Sequence, residues 1–199
     1  MLCAFNLVFA FPYLEVHRAL RSHGKAALQF SKVLDADEIF RSTLLLGEDR
    51  ETLARYLAIL DRRQLTFPAR RETAALQDGE NQVRRSTQEY GVFENLKRES
   101  GDSIVASGWS YLPAKSRPAA CVVLAFGHDE TWTAFALSNQ RENRPDLANK
   151  PKVSGRDLGW RGTFSLERLP PGTTEISAWA LDADNGETFR LPGSFVVEK

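Results

Sequence analysis

The chain has 199 residues, of which 42% are hydrophobic and 26% are charged, and its 26 basic and 26 acidic residues give a formal net charge of +0. This composition is that of a globular protein with a core of ordinary size, and it excludes disorder throughout. The balanced charge argues against nucleic acid as a partner, because binding to phosphates needs a concentrated excess of Lys and Arg. Cys3 and Cys121 stand in different contexts, and we expect both to be free thiols.

The first 14 residues are almost wholly apolar. A helix that crosses a membrane needs about 20 such residues, so this run is too short to span alone. It also lacks the positive start and the small-residue cleavage site of a signal peptide. Two interpretations stay open. The run is either the end of a transmembrane helix with Tyr13 as an interfacial anchor, or a helix that packs on the protein's own core. We favour the first, because the run leaves no polar face for water.

Helical periodicity follows from Leu14 to Leu65, with a break at Gly24. The clearest helix comes after Gly47-Glu48-Asp49, and its apolar stripe at i, i+3, i+4 and i+7 consists of Leu53, Tyr56, Leu57 and Leu60. Arginines interleaved with acidic residues decorate its other side, which is typical of a solvated face. Residues 1–68 are therefore predicted to be a membrane-proximal segment of two or three helices, and the polar residues 69–89 a linker.

Residues 90–199 are a series of short stretches of alternating apolar and polar residues, each ended by turn residues. This pattern predicts an immunoglobulin-like antiparallel β-sandwich of about seven strands, so that the fold is mainly β with an N-terminal α segment. The predicted strands cover residues 91–96, 104–112, 120–127, 132–137, 160–166, 175–181 and 189–197. The third is apolar enough for a central position, both faces of the sixth are expected to be covered, and Pro192-Gly193 predicts a bulge or bend in the last.

The acidic turn at residues 182–187 allows two interpretations. Clustered oxygen ligands suit calcium, but the glycine arrives one place too early for an EF-hand loop. Asn185-Gly186 between two predicted strands is typical of a type I′ hairpin, and we favour this second interpretation. The chain has no Cys-x-x-Cys, no His-x-x-x-His and no Gly-x-Ser-x-Gly sequence, and its glycines form no phosphate-binding loop. We therefore predict no metal, no cofactor and no catalytic residue, and thus a protein that is not an enzyme.

Three residues are candidates for ligand binding: Trp132, Arg144 and Asp146. All four tryptophans are expected in the core, but Trp132 stands beside the turn at residues 128–130 and is the best candidate for an exposed ring on which a sugar stacks. Arg144 and Asp146 lie in a long excursion, residues 139–159, of the kind that binds a ligand or packs on a sheet. The alternative for this pair is structural, with Arg144 pairing a strand carboxylate and Asp146 capping a short helix.

Several short motifs in order carry a resemblance to a known family. They are Gly91-Val92-Phe93-Glu94, Ser107-Gly108-Trp109-Ser110, Arg144-Pro145-Asp146-Leu147, Gly159-Trp160, Leu169-Pro170-Pro171-Gly172 and Leu191-Pro192-Gly193-Ser194. With them the chain from Tyr90 onward resembles the C-terminal β-sandwich domain of uncharacterised bacterial, often cyanobacterial, polytopic membrane proteins, some of them glycosyltransferase-like. The resemblance implies a C-terminal piece or a shortened relative, and it carries over no catalytic residue.

From these observations we expect a noncatalytic accessory or interaction module, membrane-associated on the extracytoplasmic side as the C-terminal part of a membrane protein. Its partner would be a membrane protein or an envelope glycan, and nucleic acid is not expected. The alternative is a carbohydrate-binding domain that serves an envelope glycan enzyme. That alternative predicts at least two coplanar aromatic rings exposed on one sheet face.

Overall fold

The computed structural model describes Ala75–Leu76 and residues 90–99, 101–128, 131–138, 140–147 and 157–199. The predicted helices, the apolar run at residues 1–14 and the middle of the excursion lie outside the described residues. Within them the chain is mainly β, with two antiparallel sheets and three short 3₁₀ turns at Pro113–Lys115, Pro145–Leu147 and Leu166–Arg168.

Over the described residues all seven predicted strands are present, together with two further short strands. The strands are β1 (Ala75–Leu76), β2 (Gly91–Arg98), β3 (Ser103–Ser110), β4 (Cys121–His128), β5 (Thr131–Leu137), β6 (Gln140–Glu142), β7 (Gly159–Ser165), β8 (Thr173–Asp182) and β9 (Glu187–Glu198). One sheet has the order β1-β5-β4-β8-β9 and the other the order β2-β3-β7-β6. The short β1 and β6 lie at sheet edges, in the predicted linker and the predicted excursion.

The two sheets share one apolar core. On β4 the side chains of Val122 and Leu124 point into it, and from the other sheet β3 contributes Ile104 and β7 contributes Trp160 and Phe164. These side chains are at most 5% exposed. Alternation along each strand therefore directs one face of each sheet into this shared core, as the period of two requires.

Strands β4 and β8 are also buried on the face that points away from this core. Val123 and Leu181 are 0% exposed there and Trp179 is 1% exposed, while Ile176 on the opposite face of β8 is also 0% exposed. The prediction that β8 is covered on both faces is thus confirmed, as is the central position of β4. The buried side chains of this second face, called the outer cluster below, are Ala120, Cys121, Val123, Ala125, Trp132, Ala134, Leu137, Trp179, Leu181 and Ala183.

A third cluster lies against the four-stranded sheet. Trp109 and Tyr111 pack there with Leu147 and Leu158, which come from the two described ends of the excursion. The described ends of the excursion therefore pack on the sheet, which is one of the two roles expected for a loop of its length. All four tryptophans are 1% exposed, which confirms their prediction as core residues, although only one of them, Trp160, belongs to the core shared by both sheets.

The turn between β8 and β9 confirms the hairpin but not its type. Four residues, Ala183 to Gly186, separate the strands, and the Gly186 N–H donates to the Asp182 carbonyl at 2.8 Å. Gly186 has a φ of 78°, whereas Asn185 has no positive φ, so the type I′ prediction was wrong. The reason is local: the Asp182 carboxylate accepts a hydrogen bond from the Asp184 N–H at 3.1 Å, so that the turn begins before the predicted central residues Asn185-Gly186.

The predicted bend at Pro192-Gly193 is confirmed as a bulge. Ser177 pairs with Ser194 and Trp179 with Arg190, so three residues of β9 face one residue of β8. Gly193 has a φ of 101°, and a Cβ atom there would lie 2.3 Å from the carbonyl oxygen of Phe93 on β2. Glycine is therefore required at this point for both its backbone conformation and the close approach of β2.

Two glycine substitutions separate these requirements. Gly172 also has a positive φ, of 94°, but nothing lies within 4 Å of a Cβ built there. We expect Gly172→Ala to lower the free energy of unfolding by about 1 kcal/mol, and Gly193→Ala by more than about 2 kcal/mol because the β2 backbone must also shift. Urea denaturation followed by circular dichroism measures both. Equal losses for the two variants would contradict the close approach.

A second stability prediction concerns the third cluster. Trp109→Ala is expected to lower the free energy of unfolding by about 3–5 kcal/mol, since it removes a buried ring and leaves a cavity. Val196→Ala on β9 is the matched control, because Val196 is 69% exposed and its truncation should cost less than about 0.5 kcal/mol. Urea melts recorded by circular dichroism compare the two. An unchanged midpoint for Trp109→Ala would contradict the burial of this ring.

Candidate functional site

The structure pairs two of the three predicted ligand-binding residues with each other. The Arg144 guanidinium donates to Asp146 through Nε at 2.9 Å and Nη2 at 2.7 Å. It also donates to Glu94 on β2, through Nη1 at 2.6 Å and Nη2 at 3.0 Å. The hydrogen bonds to Asp146, and then those to Glu94, raise the pKa of Arg144 above its ordinary value.

This arrangement is the structural alternative proposed from the sequence for Arg144. One guanidinium joins the excursion to strand β2, and the side chain of Arg144 is only 20% exposed. Asp146 lies inside the 3₁₀ turn Pro145–Leu147, where its carboxylate accepts from Arg144. A Cβ atom at Gly159 would lie 2.9 Å from Arg144 Cγ, so the glycine gives this side chain its room. With two carboxylates around one cation, the group carries a net negative charge.

Trp132 belongs to a different part of the protein. It is a member of the outer cluster and lies on β5 in the five-stranded sheet. Glu94, which pairs with Arg144, lies on β2 in the four-stranded sheet. The three predicted residues therefore do not form a single site. The ring of Trp132 is 1% exposed, so it offers no open face for stacking in this structure.

Trp132 instead forms an aromatic group with Trp179 and Arg190. The two ring centroids are 5.2 Å apart and the ring planes are tilted by 58°. The Arg190 Cζ atom lies 4.5 Å from the Trp132 centroid and 5.6 Å from the Trp179 centroid, which is the range of a cation–π contact. Arg190 Nη2 also donates to Ser177 Oγ at 3.2 Å, and this bond holds the guanidinium over the rings.

A second polar group surrounds the start of the β8–β9 turn. Lys115 Nζ lies 2.6 Å from Asp182 Oδ2 and 2.9 Å from Asp184 Oδ2, and Arg117 Nη2 lies 2.6 Å from Asp184 Oδ2. Burial alone would lower the pKa of Lys115, but its hydrogen bonds to the two carboxylates outweigh this and raise it. The hydrogen bond from Lys115, opposed by burial and reinforced by Arg117, lowers the pKa of Asp184 to about 2.

The sequence suggested calcium or, as the favoured interpretation, a hairpin for these carboxylates, and it did not indicate their basic partners. Lys115 and Arg117 come from a 3₁₀ turn and the residues after it, 67 positions away from Asp182 and Asp184. The one signal in the sequence for this contact was that Lys115 and Arg117 are basic whereas Asp182 and Asp184 are acidic. Many pairs of segments differ in charge in this way, so the signal was not specific. In the part of the chain that the structure describes, no group of three or more His, Cys, Asp or Glu side chains is arranged to hold a metal ion.

Comparisons with known proteins add no assignment. No protein-family model and no curated protein matches the chain. Over the described residues, no helix combines the length and the apolar character needed to cross a membrane.

The charge cluster at the turn predicts a dependence of stability on pH. The folded-state pKa of Asp184, about 2, lies below its ordinary value of 3.8. Between these values the unfolded chain binds more protons, so the contribution of Asp184 is present above about pH 4 and is lost as the pH falls toward 2. Its carboxylate is 43% exposed, and we therefore expect at most about 1 kcal/mol.

Asp184→Asn tests this contribution. Above about pH 4 the wild-type chain should be the more stable of the two, and the difference should shrink as the pH is lowered to about 2. Denaturation midpoints measured across this range for both chains give the comparison. A difference that stays constant with pH would contradict the ion pairs of Asp184.

Proposed function

We propose that the chain is a noncatalytic accessory or interaction module with an immunoglobulin-like sandwich fold, extracytoplasmic and attached to a membrane as the C-terminal part of a membrane protein. The observation that supports this proposal is the two-sheet arrangement of the described strands. Many cell-surface domains share the sandwich architecture.

Strand order supports the immunoglobulin-like assignment. In a constant-type immunoglobulin domain, strands A, B, E and D form one sheet and strands C, F and G the other. Here β2-β3-β7-β6 follows the first order and β4-β8-β9 the second, with β5 added beyond β4. Contacts between β2 and β9, the first and last strands of this set, agree with the same topology.

The carbohydrate-binding alternative is less well supported by the aromatic geometry. It requires at least two exposed, coplanar rings on one sheet face, and Trp132 and Trp179 do share such a face. Their planes are tilted by 58° and each ring is 1% exposed. The ion pairs of Arg144 and Asp146 likewise favour a structural role over contact with a glycan.

Membrane attachment rests on the apolar run at residues 1–14 and on the family resemblance. Its test is cell fractionation of the full chain with a carbonate wash of the membranes. We expect the full chain to be retained and Phe5→Asp/Phe9→Asp to be released, because two charges in so short an apolar run are costly in the bilayer. Gln82→Asp/Gln88→Asp adds the same charge in the polar stretch and should be retained. A full chain that is found in the soluble fraction would overturn the attachment.

A further inference from the structure

We propose that residues 113–118, called the strap below, open and close while both sheets stay folded, and that ionic strength sets the balance between the two forms. The strap lies in the connection by which the chain crosses from β3 in the four-stranded sheet to β4 in the five-stranded sheet. In the closed form, which the structure shows, Lys115 and Arg117 contact the carboxylates at the end of β8. All of these residues belong to the sandwich, so the device is independent of membrane attachment.

The first argument is that the strap has no apolar anchor of its own. Leu112 before it and Ala119 after it belong to the shared core, at 3% and 0% exposure. Among the residues that the structure describes, no member of the strap belongs to a buried cluster, and Ala114 and Ser116 are exposed. A segment that buries few apolar side chains loses little packing when it opens. The strap can therefore open without exposing the core.

The second argument is that ion pairs hold the strap closed. Lys115 Nζ lies 2.6 Å from Asp182 Oδ2 and 2.9 Å from Asp184 Oδ2, and Arg117 Nη2 lies 2.6 Å from Asp184 Oδ2. These contacts join segments that are 67 positions apart in the sequence. The side chain of Asp184 is 43% exposed, and dissolved salt weakens ion pairs at that degree of exposure. The stability of the closed form therefore depends on ionic strength.

The third argument is strain inside the strap. Ser116 has a φ of 50° and a ψ of 44°, and among the described residues it is the one non-glycine residue with a positive φ. A side chain in this left-handed region costs free energy, and such residues persist where the surrounding contacts fix them. The backbone hydrogen bonds here are local, as from the Leu112 N–H to the Arg117 carbonyl at 2.7 Å. Release of the ion pairs lets Ser116 leave its strained conformation, which favours the open form.

The fourth argument is that the chain is fixed on both sides of the strap. Arg141 on β6 donates to the carbonyl oxygens of Ala119 and Ala120. On the other side, the Tyr111 N–H donates to the Tyr90 carbonyl at 2.7 Å. Neither contact uses a residue of the strap. Opening therefore stops at these bonds and leaves the strands of both sheets paired.

Hydrogen exchange resolved to single backbone amides of the full chain tests the strap. The Leu112 N–H reports on the strap, and the Ser138 N–H, which donates to the Val122 carbonyl at 2.8 Å, reports on the five-stranded sheet. We expect Leu112 to exchange at least about tenfold faster than Ser138, because local opening costs less free energy than unfolding of the sheets. Raising the NaCl concentration from about 0.05 M to about 1 M should accelerate Leu112 at least about threefold relative to Ser138.

Two substitutions move the balance in opposite directions. Lys115→Met removes the cation that pairs with the carboxylates and should accelerate exchange at Leu112 at least about tenfold. Ser116→Gly removes the side chain that disfavours the left-handed conformation and should slow exchange at Leu112 about threefold. The matched control is Arg98→Met, which breaks an exposed ion pair to Asp102 at the other end of β3 and should change neither amide.

The outcomes separate the strap from a rigid connection. Equal exchange rates at Leu112 and Ser138 in low and high salt would overturn the proposal, because the strap would then open only when the sheets unfold. So would a rate at Leu112 that neither salt nor Lys115→Met changes. If Lys115→Met accelerates both amides, the variant has unfolded the sheets, and the salt response of the unaltered chain then decides.

Discussion

The five-stranded sheet is constrained by burial on both of its faces, and much of the packing follows from that requirement. Its central strands carry small side chains between the large ones: Ala178 and Ala180 face the shared core, and Ala125 lies in the outer cluster. To the same core the other sheet contributes Trp160 and Phe164. Small residues on one layer thus leave room for large rings on the next, which is how a sandwich reaches the packing density of a protein interior.

The charged side chains act mainly as braces between segments that are distant in sequence. Arg144 ties the excursion to β2 through Glu94, and Lys115 ties its 3₁₀ turn to the end of β8 through Asp182. Arg141 on β6 donates to the carbonyl oxygens of Ala119 and Ala120, and so joins an edge of one sheet to the chain that enters the other. Each exposed ion pair of this kind adds little to the free energy of unfolding. Together the pairs fix the positions of loops that have no strand-to-strand hydrogen bonds.

The sequence was sufficient for the strands because their signals are local. Alternation of apolar residues and turn residues between them predicted all seven long strands; β4 was recognised as a central strand and β8 as a strand covered on both faces. The short strands β1 and β6 escaped prediction because two or three residues carry no periodicity and their ladders depend on β5 and β7. The turn at residues 183–186 was assigned the wrong type because the Asp182 carboxylate competes with the Asn185-Gly186 signal.

The candidate sites were harder to predict because they depend on contacts between distant segments. Nothing near Arg144 in the sequence indicates Glu94, 50 residues away, and nothing near Trp132 indicates that Trp179 and Arg190 would lie beside it. The sequence did predict that the tryptophans are buried. It placed Trp109 in the middle of the sandwich, however, whereas the ring packs on the outside of the four-stranded sheet with Leu147 and Leu158.

The energies involved favour packing over glycan binding as the role of the Trp132–Trp179 face. A tryptophan ring buries about 150–250 Å², so exposing one to water costs roughly 4–6 kcal/mol at about 25 cal/mol per Å². Stacking on an aromatic ring returns about 0.5–1.5 kcal/mol beyond the area it covers. A sugar could therefore bind at this face only if it buried nearly all of both rings, and the 58° tilt prevents one flat ligand from doing so. The face is best suited to a body with an irregular apolar surface, which is the surface that protein side chains provide.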